Sequence, residues 1–233
     1  MKKYITLLII SFGLSAQAQV NISYSAGYGG YRMKNANMAL ESVFNTIRAN
    51  LPRELRITED FPGYITHNLD LTYQMSSHEA GIKVSYYTTG GIIAYSDYSG
   101  KYKNSSILNG YRFGLIYRNH FWILNDRFSL FFDVSPAMIR TGIKSDLEYS
   151  YSNLSILKKI FDKDSESAVS IQTLLGCRFS ATKDILIFGR VGYDFLLISR
   201  SDPFSSRTNP KMVDWSGVRC EIGVTWQLSS LTF

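Results

Sequence analysis

The residues best suited to chemistry in this 233-residue chain are two cysteines and three histidines. Cys177 and Cys220 lie in separate segments of alternating apolar and polar residues, each in the apolar phase. If a further strand runs between those segments, the thiols stand about 9–10 Å apart, two strand spacings. That exceeds disulfide reach, so free, buried thiols are expected. No Cys/His spacing suits a metal either. His78 and His120 fall in short connections, and His67 falls near the end of a strand, in its apolar phase. Acyl chemistry on lipid would need a His beside a Ser and an acidic orienter, and nothing in the spacing marks partners for His67. Glu59 and Asp60 read as an ordinary solvated pair. Gly27, Gly29 and Gly30 sit inside a strand pattern, where glycine relieves crowding, and form no phosphate loop. No catalytic group, cofactor or metal is expected, and the chain reads as non-enzymatic.

The elements that would position these residues are eight segments with period-two alternation. They are expected at about Val20–Arg32, Tyr64–Met75, Gly81–Ala94, Asn109–Arg118, Phe128–Ser135, Val169–Ser180, Ile185–Ser199 and Ser216–Leu228. Gly90-Gly91 suggests a bulge or bend in the third. Each strand has one apolar face, such as Ile22, Tyr24 and Tyr28 in the first or Val218, Ile222 and Trp226 in the last. The opposite phase holds Asp70, Lys83, Arg112, Arg118, Asp133, Arg178, Arg190, Asp194, Arg219 and Glu221. In the apolar phase the only full charge is Arg32, at an expected rim. A Lys or Arg facing lipid at mid-bilayer costs about 2–4 kcal/mol, whereas inside a small barrel it can pair. Eight strands leave an interior that side chains fill, so these charges predict a cross-lumen ion-pair network and not an open channel. A soluble barrel or sandwich with a wet outer face would show the same alternation. Aromatic residues near strand ends favour the membrane, as at Tyr117, Phe121, Trp122 and Phe128, and at Trp215 and Trp226.

The connections alternate long and short, as in a membrane barrel. Short turns are expected at Ser76–Ala80, Asn119–Arg127 and Ala181–Asp184, on the periplasmic side with both chain ends. Long outer loops are expected at about 33–63, 95–108, 143–168 and 200–215. The first contains an amphipathic helix, Asn37–Leu51, with Leu40, Val43, Phe44, Ile47 and Leu51 on one face and Asn37 as its cap. A weaker helix is expected at Asn153–Phe161. Such helices could cap the mouth or dock a partner, but packing on the rim or a neighbouring loop is favoured.

Residues 1–18 read as a signal peptide, with Lys2 and Lys3, an apolar run from Tyr4 to Leu14, and Ala16-Gln17-Ala18 at the cleavage site. That run is shorter than the ~20 residues a spanning helix needs. The barrel domain is then 19–233. Without Lys2 and Lys3 the formal charge falls from +6 to +4. The basic residues are dispersed, which argues against nucleic acid as a partner.

The last strand carries a resemblance. Glu221, Gly223, Trp226 and Leu228 follow the polar, glycine, aromatic, hydrophobic spacing of the assembly signal of bacterial outer-membrane barrels, and the chain ends on aromatic Phe233. It continues five residues past Leu228, so two segments compete as the signal. The chain from 19 to 233 resembles small eight-stranded outer-membrane barrels of the OmpX and OmpA-membrane-domain type. Its Ala-Gln-Ala-Gln signal end and Tyr-rich strands are similar in style to the outer-membrane barrel family of Bacteroidota that includes PorT-like secretion accessories. The resemblance implies an all-β, eight-stranded antiparallel up-and-down transmembrane β-barrel with short helices in its outer loops, located in the cell outer membrane. Its partners would be outer-membrane lipid and the barrel-assembly machinery, with an envelope protein partner left open. The leading expectation is a barrel that anchors outer loops used for surface or partner interactions. The alternatives are an accessory subunit of an envelope secretion or assembly machine, and a lipid-modifying enzyme using His67.

Overall fold

The computed structural model describes residues 19–50, 55–97, 100–124, 127–151, 154–160, 165–201 and 213–228. The expected signal peptide and Phe233 lie outside them. Among these residues ten strands and one helix form: β1 (Gln19–Gly29), α1 (Lys34–Asn50), β2 (Arg56–Asp60), β3 (Tyr64–Met75), β4 (His78–Asp97), β5 (Gly100–Leu124), β6 (Phe128–Tyr151), β7 (Leu154–Ile160), β8 (Ser165–Ser180), β9 (Ile185–Ser201) and β10 (Gly217–Leu228). Eight of the strands close a ring in the order β1-β3-β4-β5-β6-β8-β9-β10, and every pairing is antiparallel. Closure removes the free edges that an open sheet would present.

The registers also give the stagger of the barrel. From Ala26 one path runs through His67, Tyr86 and Tyr111 to Arg140; the other runs through Ile222, Gly189 and Cys177 to Leu130. The two paths meet on β6 ten residues apart, which is the shear of a tilted, closed eight-stranded wall.

At one end the connections are tight. Ser76-Ser77 joins β3 to β4, with Ser76 in the left-handed region at φ 55°. Between β8 and β9, Thr182 Oγ1 accepts from the amides of Asp184 and Ile185. At the other end β4, β5 and β6 rise beyond the ring. There β2 pairs with β4 and β7 pairs with β6, making a raised sheet in the order β2-β4-β5-β6-β7.

Several expectations are corrected by this arrangement. The helix expected at Asn153–Phe161 is strand β7: its hydrogen-bonding partner, the extended end of β6, overrides the weak helical spacing. Much of the expected loops 95–108 and 143–168 is likewise strand. Gly90-Gly91 makes no bulge, since Gly90↔Ile107 and Gly91↔Ser106 continue the β4–β5 register without a break. Gly91 instead makes room for the Phe61 ring, which a Cβ there would meet at 2.7 Å. Helix α1 begins at Lys34, so Asn37 is not its cap; its amide donates to the carbonyl of Met33, the residue before the helix, as the first bond of the helical ladder. Val43 points outward at 41% exposure, and the packed face runs through Ala36, Leu40, Phe44 and Ile47. Leu51 lies outside the described residues.

Candidate functional site

The polarity of the wall is inverted relative to a water-soluble barrel. Side chains outside the ring are large and apolar, as at Phe113, Leu115, Met138, Leu175, Ile187 and Ile222, each exposed. The charges point inward and are buried: Asp70, Lys83, Arg112, Arg118, Asp133, Arg178, Arg190, Asp194, Arg219 and Glu221 all lie in the lumen. Glu79 joins them. The spacing placed it in a turn, but the turn is only Ser76-Ser77, which leaves Glu79 as an inward position of β4. The described lumen therefore holds five acids against six Lys and Arg.

These charges meet across the barrel. Arg190 reaches three carboxylates, donating to Glu221 at 2.6 Å, Asp70 at 2.8 Å and Asp133 at 3.0 Å. Arg118 grips Asp133 with two parallel hydrogen bonds, of 2.7 and 3.1 Å, and donates to Glu79 at 3.0 Å. Paired guanidinium–carboxylate bonds of this kind are strong and fix orientation. The Arg118 guanidinium also lies 4.6 Å from the centre of the Phe131 ring. Lys83 donates to Gln172 at 2.7 Å and stands 3.7 Å from Glu221. Burying a lone charge would cost several kcal/mol, and mutual pairing is what makes this interior tolerable.

Toward the turns, Glu79 accepts from Arg178 at 2.6 Å and is 2.8 Å from Nε2 of His120. His120 is thus a buried lumen residue at the end of β5 and not a turn residue as expected, because β5 continues to Leu124. Toward the raised sheet, Arg112 donates to the hydroxyl and carbonyl of Ser135 and lies 3.6 Å from Asp194. Arg219 lies between the rings of Tyr87 and Tyr31, at 4.8 and 5.0 Å, and donates to the carbonyls of Gly30 and Trp215.

Above Arg219 the lumen turns apolar. Met33, Ala36 and Leu40 of the first loop and helix pack with Phe61, Tyr87, Ile93, Leu108, Ile139 and Trp215 into a plug. Trp215, expected in an outer aromatic belt, is 1% exposed at its centre, and its indole donates to Thr141 at 2.8 Å. Gly110 admits it: a Cβ there would lie 2.9 Å from the indole. Tyr31 meets the same ring edge-on at 4.8 Å. The helix face therefore fills the barrel mouth.

The other candidates stay outside the lumen. His67 faces outward and is 2.8 Å from the Tyr24 hydroxyl; among the described residues it meets no Ser and no carboxylate. His78 stands at the start of β4, 2.8 Å from the Tyr117 hydroxyl. Cys177 and Cys220 are free and separated by β9, but they are exposed on the outer face and not buried as expected, because their phase of the strands points away from the lumen. Glu59 and Asp60 lie on β2 beside a cleft of about 320 Å³ against α1. Among the described residues no three His, Cys, Asp or Glu side chains could hold a metal ion. On β10, Glu221 and Gly223 face inward while Trp226 and Leu228 face out. The outward charges of β6 were missed: Arg140, five residues beyond the expected end of its strand, and Lys144, in an expected loop, are exposed on its outer phase.

No protein-family profile matches the chain, and no curated protein is similar to it. Among solved structures it is similar to Neisserial surface protein A, with 8% identity over 91% of this chain and 99% of that one and a TM-score of 0.45. It is also similar to the N-terminal β-barrel domain of Pseudomonas aeruginosa OprF, with 10% identity, 91% and 100% coverage and a TM-score of 0.38. A third is Ail, the attachment invasion locus protein of Yersinia pestis, in complex with the heparin analogue sucrose octasulfate, with 13% identity, 91% and 98% coverage and a TM-score of 0.36. What establishes the fold is the ring of registers in this chain: an eight-stranded antiparallel β-barrel, apolar outside and charged within.

Proposed function

We propose that this chain is a non-enzymatic integral barrel of the bacterial outer membrane, an anchor that holds its raised sheet and capped mouth at the cell surface. The inversion of polarity carries the reading. A row such as Tyr24, Leu69, Val84, Phe113 and Met138 is continuous across neighbouring strands on the outside of the wall. Water would penalise so large an apolar surface, whereas a bilayer would cover it. The buried charges and the plug above them support a closed lumen, so the role falls to the surface and not to transport. The raised sheet, whose outermost strands among the described residues are β2 and β7, is where an envelope protein partner would bind. Glu221, Gly223, Trp226 and Leu228 would serve as the signal read by the barrel-assembly machinery.

The test is extraction and gel mobility. The mature protein should stay with the outer-membrane fraction, require detergent, and migrate at a different apparent mass when left unheated. Recovery in the aqueous fraction, with one mobility before and after heating, would contradict the proposal.

A further inference from the structure

On the outer face of β6, apolar residues give way to cations within one step of the alternation. Met138 is 63% exposed, in register with Phe113 and Val169; the next outward residue is Arg140, then Gly142, then Lys144. Arg140 pairs in register with Tyr111, and Tyr111 with Tyr86, a row of amphipathic side chains suited to a membrane–water boundary. Gly142 is open: a Cβ built on it meets nothing within 4 Å. Its register partner Asn109 uses its Oδ1 to accept from Tyr86 at 2.8 Å and Thr88 at 3.3 Å, which leaves the amide N–H groups to donate.

Successive outward residues on a strand are about 6.8 Å apart, so the long side chains of Arg140 and Lys144 can converge over the Gly142 notch from either side. Among the described residues neither cation has an ion-pair partner, whereas Lys101 higher on the raised sheet is held by Glu148 at 3.2 Å. Two unpaired cations and an amide around an open notch, at the edge of an acyl-covering wall, form a receptor for a phosphate fixed at headgroup height.

We infer that Arg140, Lys144 and Asn109 bind the phosphate of a lipid in the leaflet facing the raised sheet, its acyl chains lying against Met138 and Phe113. The inference rests on the membrane reading above. Its test is native mass spectrometry of the full mature chain in detergent, titrated with phosphorylated lipid A and with the same lipid stripped of phosphate. The wild type should retain the phosphorylated lipid, and Arg140→Gln with Lys144→Gln should lower its occupancy about tenfold, the equivalent of losing one charge-assisted hydrogen bond. Lys101→Gln should leave it unchanged. Equal retention of the dephosphorylated lipid, equal binding by the double variant, or displacement by equimolar inorganic phosphate would each overturn the inference. Each variant is first checked for the unheated mobility shift: if that shift is present and lipid binding ignores phosphate, only this site fails. If the wild type itself lacks the shift, the membrane reading fails and the site with it.

Discussion

Replacing Arg190 with Met should destabilise the barrel far more than removing any charge from its surface. The Arg190 guanidinium serves Glu221 at 2.6 Å, Asp70 at 2.8 Å and Asp133 at 3.0 Å, all buried. After its loss Asp133 keeps the paired bonds of Arg118, Asp70 faces Arg118 at 3.5 Å, and Glu221 keeps Lys83 at 3.7 Å and the hydrogen bond of the Ser25 hydroxyl at 3.2 Å. Two buried carboxylates thus lose their close cation and retain only a more distant one among the described residues, and breaking a buried pair from one side costs about 3–5 kcal/mol. Lys101→Met is the control: its pair with Glu148 is 51% and 41% exposed, and such surface pairs contribute about 0–1 kcal/mol. Combining Arg190→Met with Glu221→Gln should recover part of the loss, since the glutamine no longer strands a charge. The assay is urea unfolding of protein refolded into vesicles, followed by the fraction that keeps the unheated mobility. An Arg190→Met loss below about 1 kcal/mol, level with Lys101→Met, would refute the view that the lumen is held by mutual charge pairing.

Three further outcomes follow from the same geometry. Trp215→Ala removes the centre of the plug and should cost about 3–5 kcal/mol, with faster proteolysis within α1; Gly110→Leu should mimic it, because a Cβ at Gly110 already meets the indole at 2.9 Å. Wild-type protein in planar bilayers should show no conductance above background, and steady single-channel steps would contradict a filled lumen. His67→Ala should leave the lipid profile of the envelope unchanged, because the partner of this histidine is the Tyr24 hydroxyl and not a nucleophile; loss of a lipid species would revive the lipid-modifying alternative.

The ring was legible in the sequence because outward-facing and lumen-facing positions alternate strictly, so Tyr24, Leu69 and Phe113 separate cleanly from Asp70, Arg112 and Arg190. Legibility failed where that contrast fades. The raised parts of β4, β5 and β6 carry polar residues on both faces, as at Lys103, Ser105 and Asp146 on one and Asn104, Ser106 and Ser145 on the other, and so read as loops. Arg140 was lost with them, being placed past the end of a strand that in fact continues to Tyr151. Glu79 was missed because a two-residue turn built on Ser76 and Ser77 lacks the Gly or Asn that marks such turns. Leu154, Leu157 and Ile160 have helical spacing, but seven paired positions on β6 decide the matter. Trp215 looks like a belt residue until Thr141 and Gly110, more than seventy residues away, are seen to receive it.

The most direct test of the central claim measures what covers the outer wall. Leu115→Cys, Met138→Cys and Ile222→Cys place spin labels at outward positions that are 63%, 63% and 67% exposed, in a background with Cys177→Ser and Cys220→Ser. In reconstituted vesicles, a membrane barrel predicts that all three labels collide freely with dissolved oxygen and are shielded from a water-soluble nickel chelate. Labels that relax fully with the nickel chelate would place this wall in water and contradict the account.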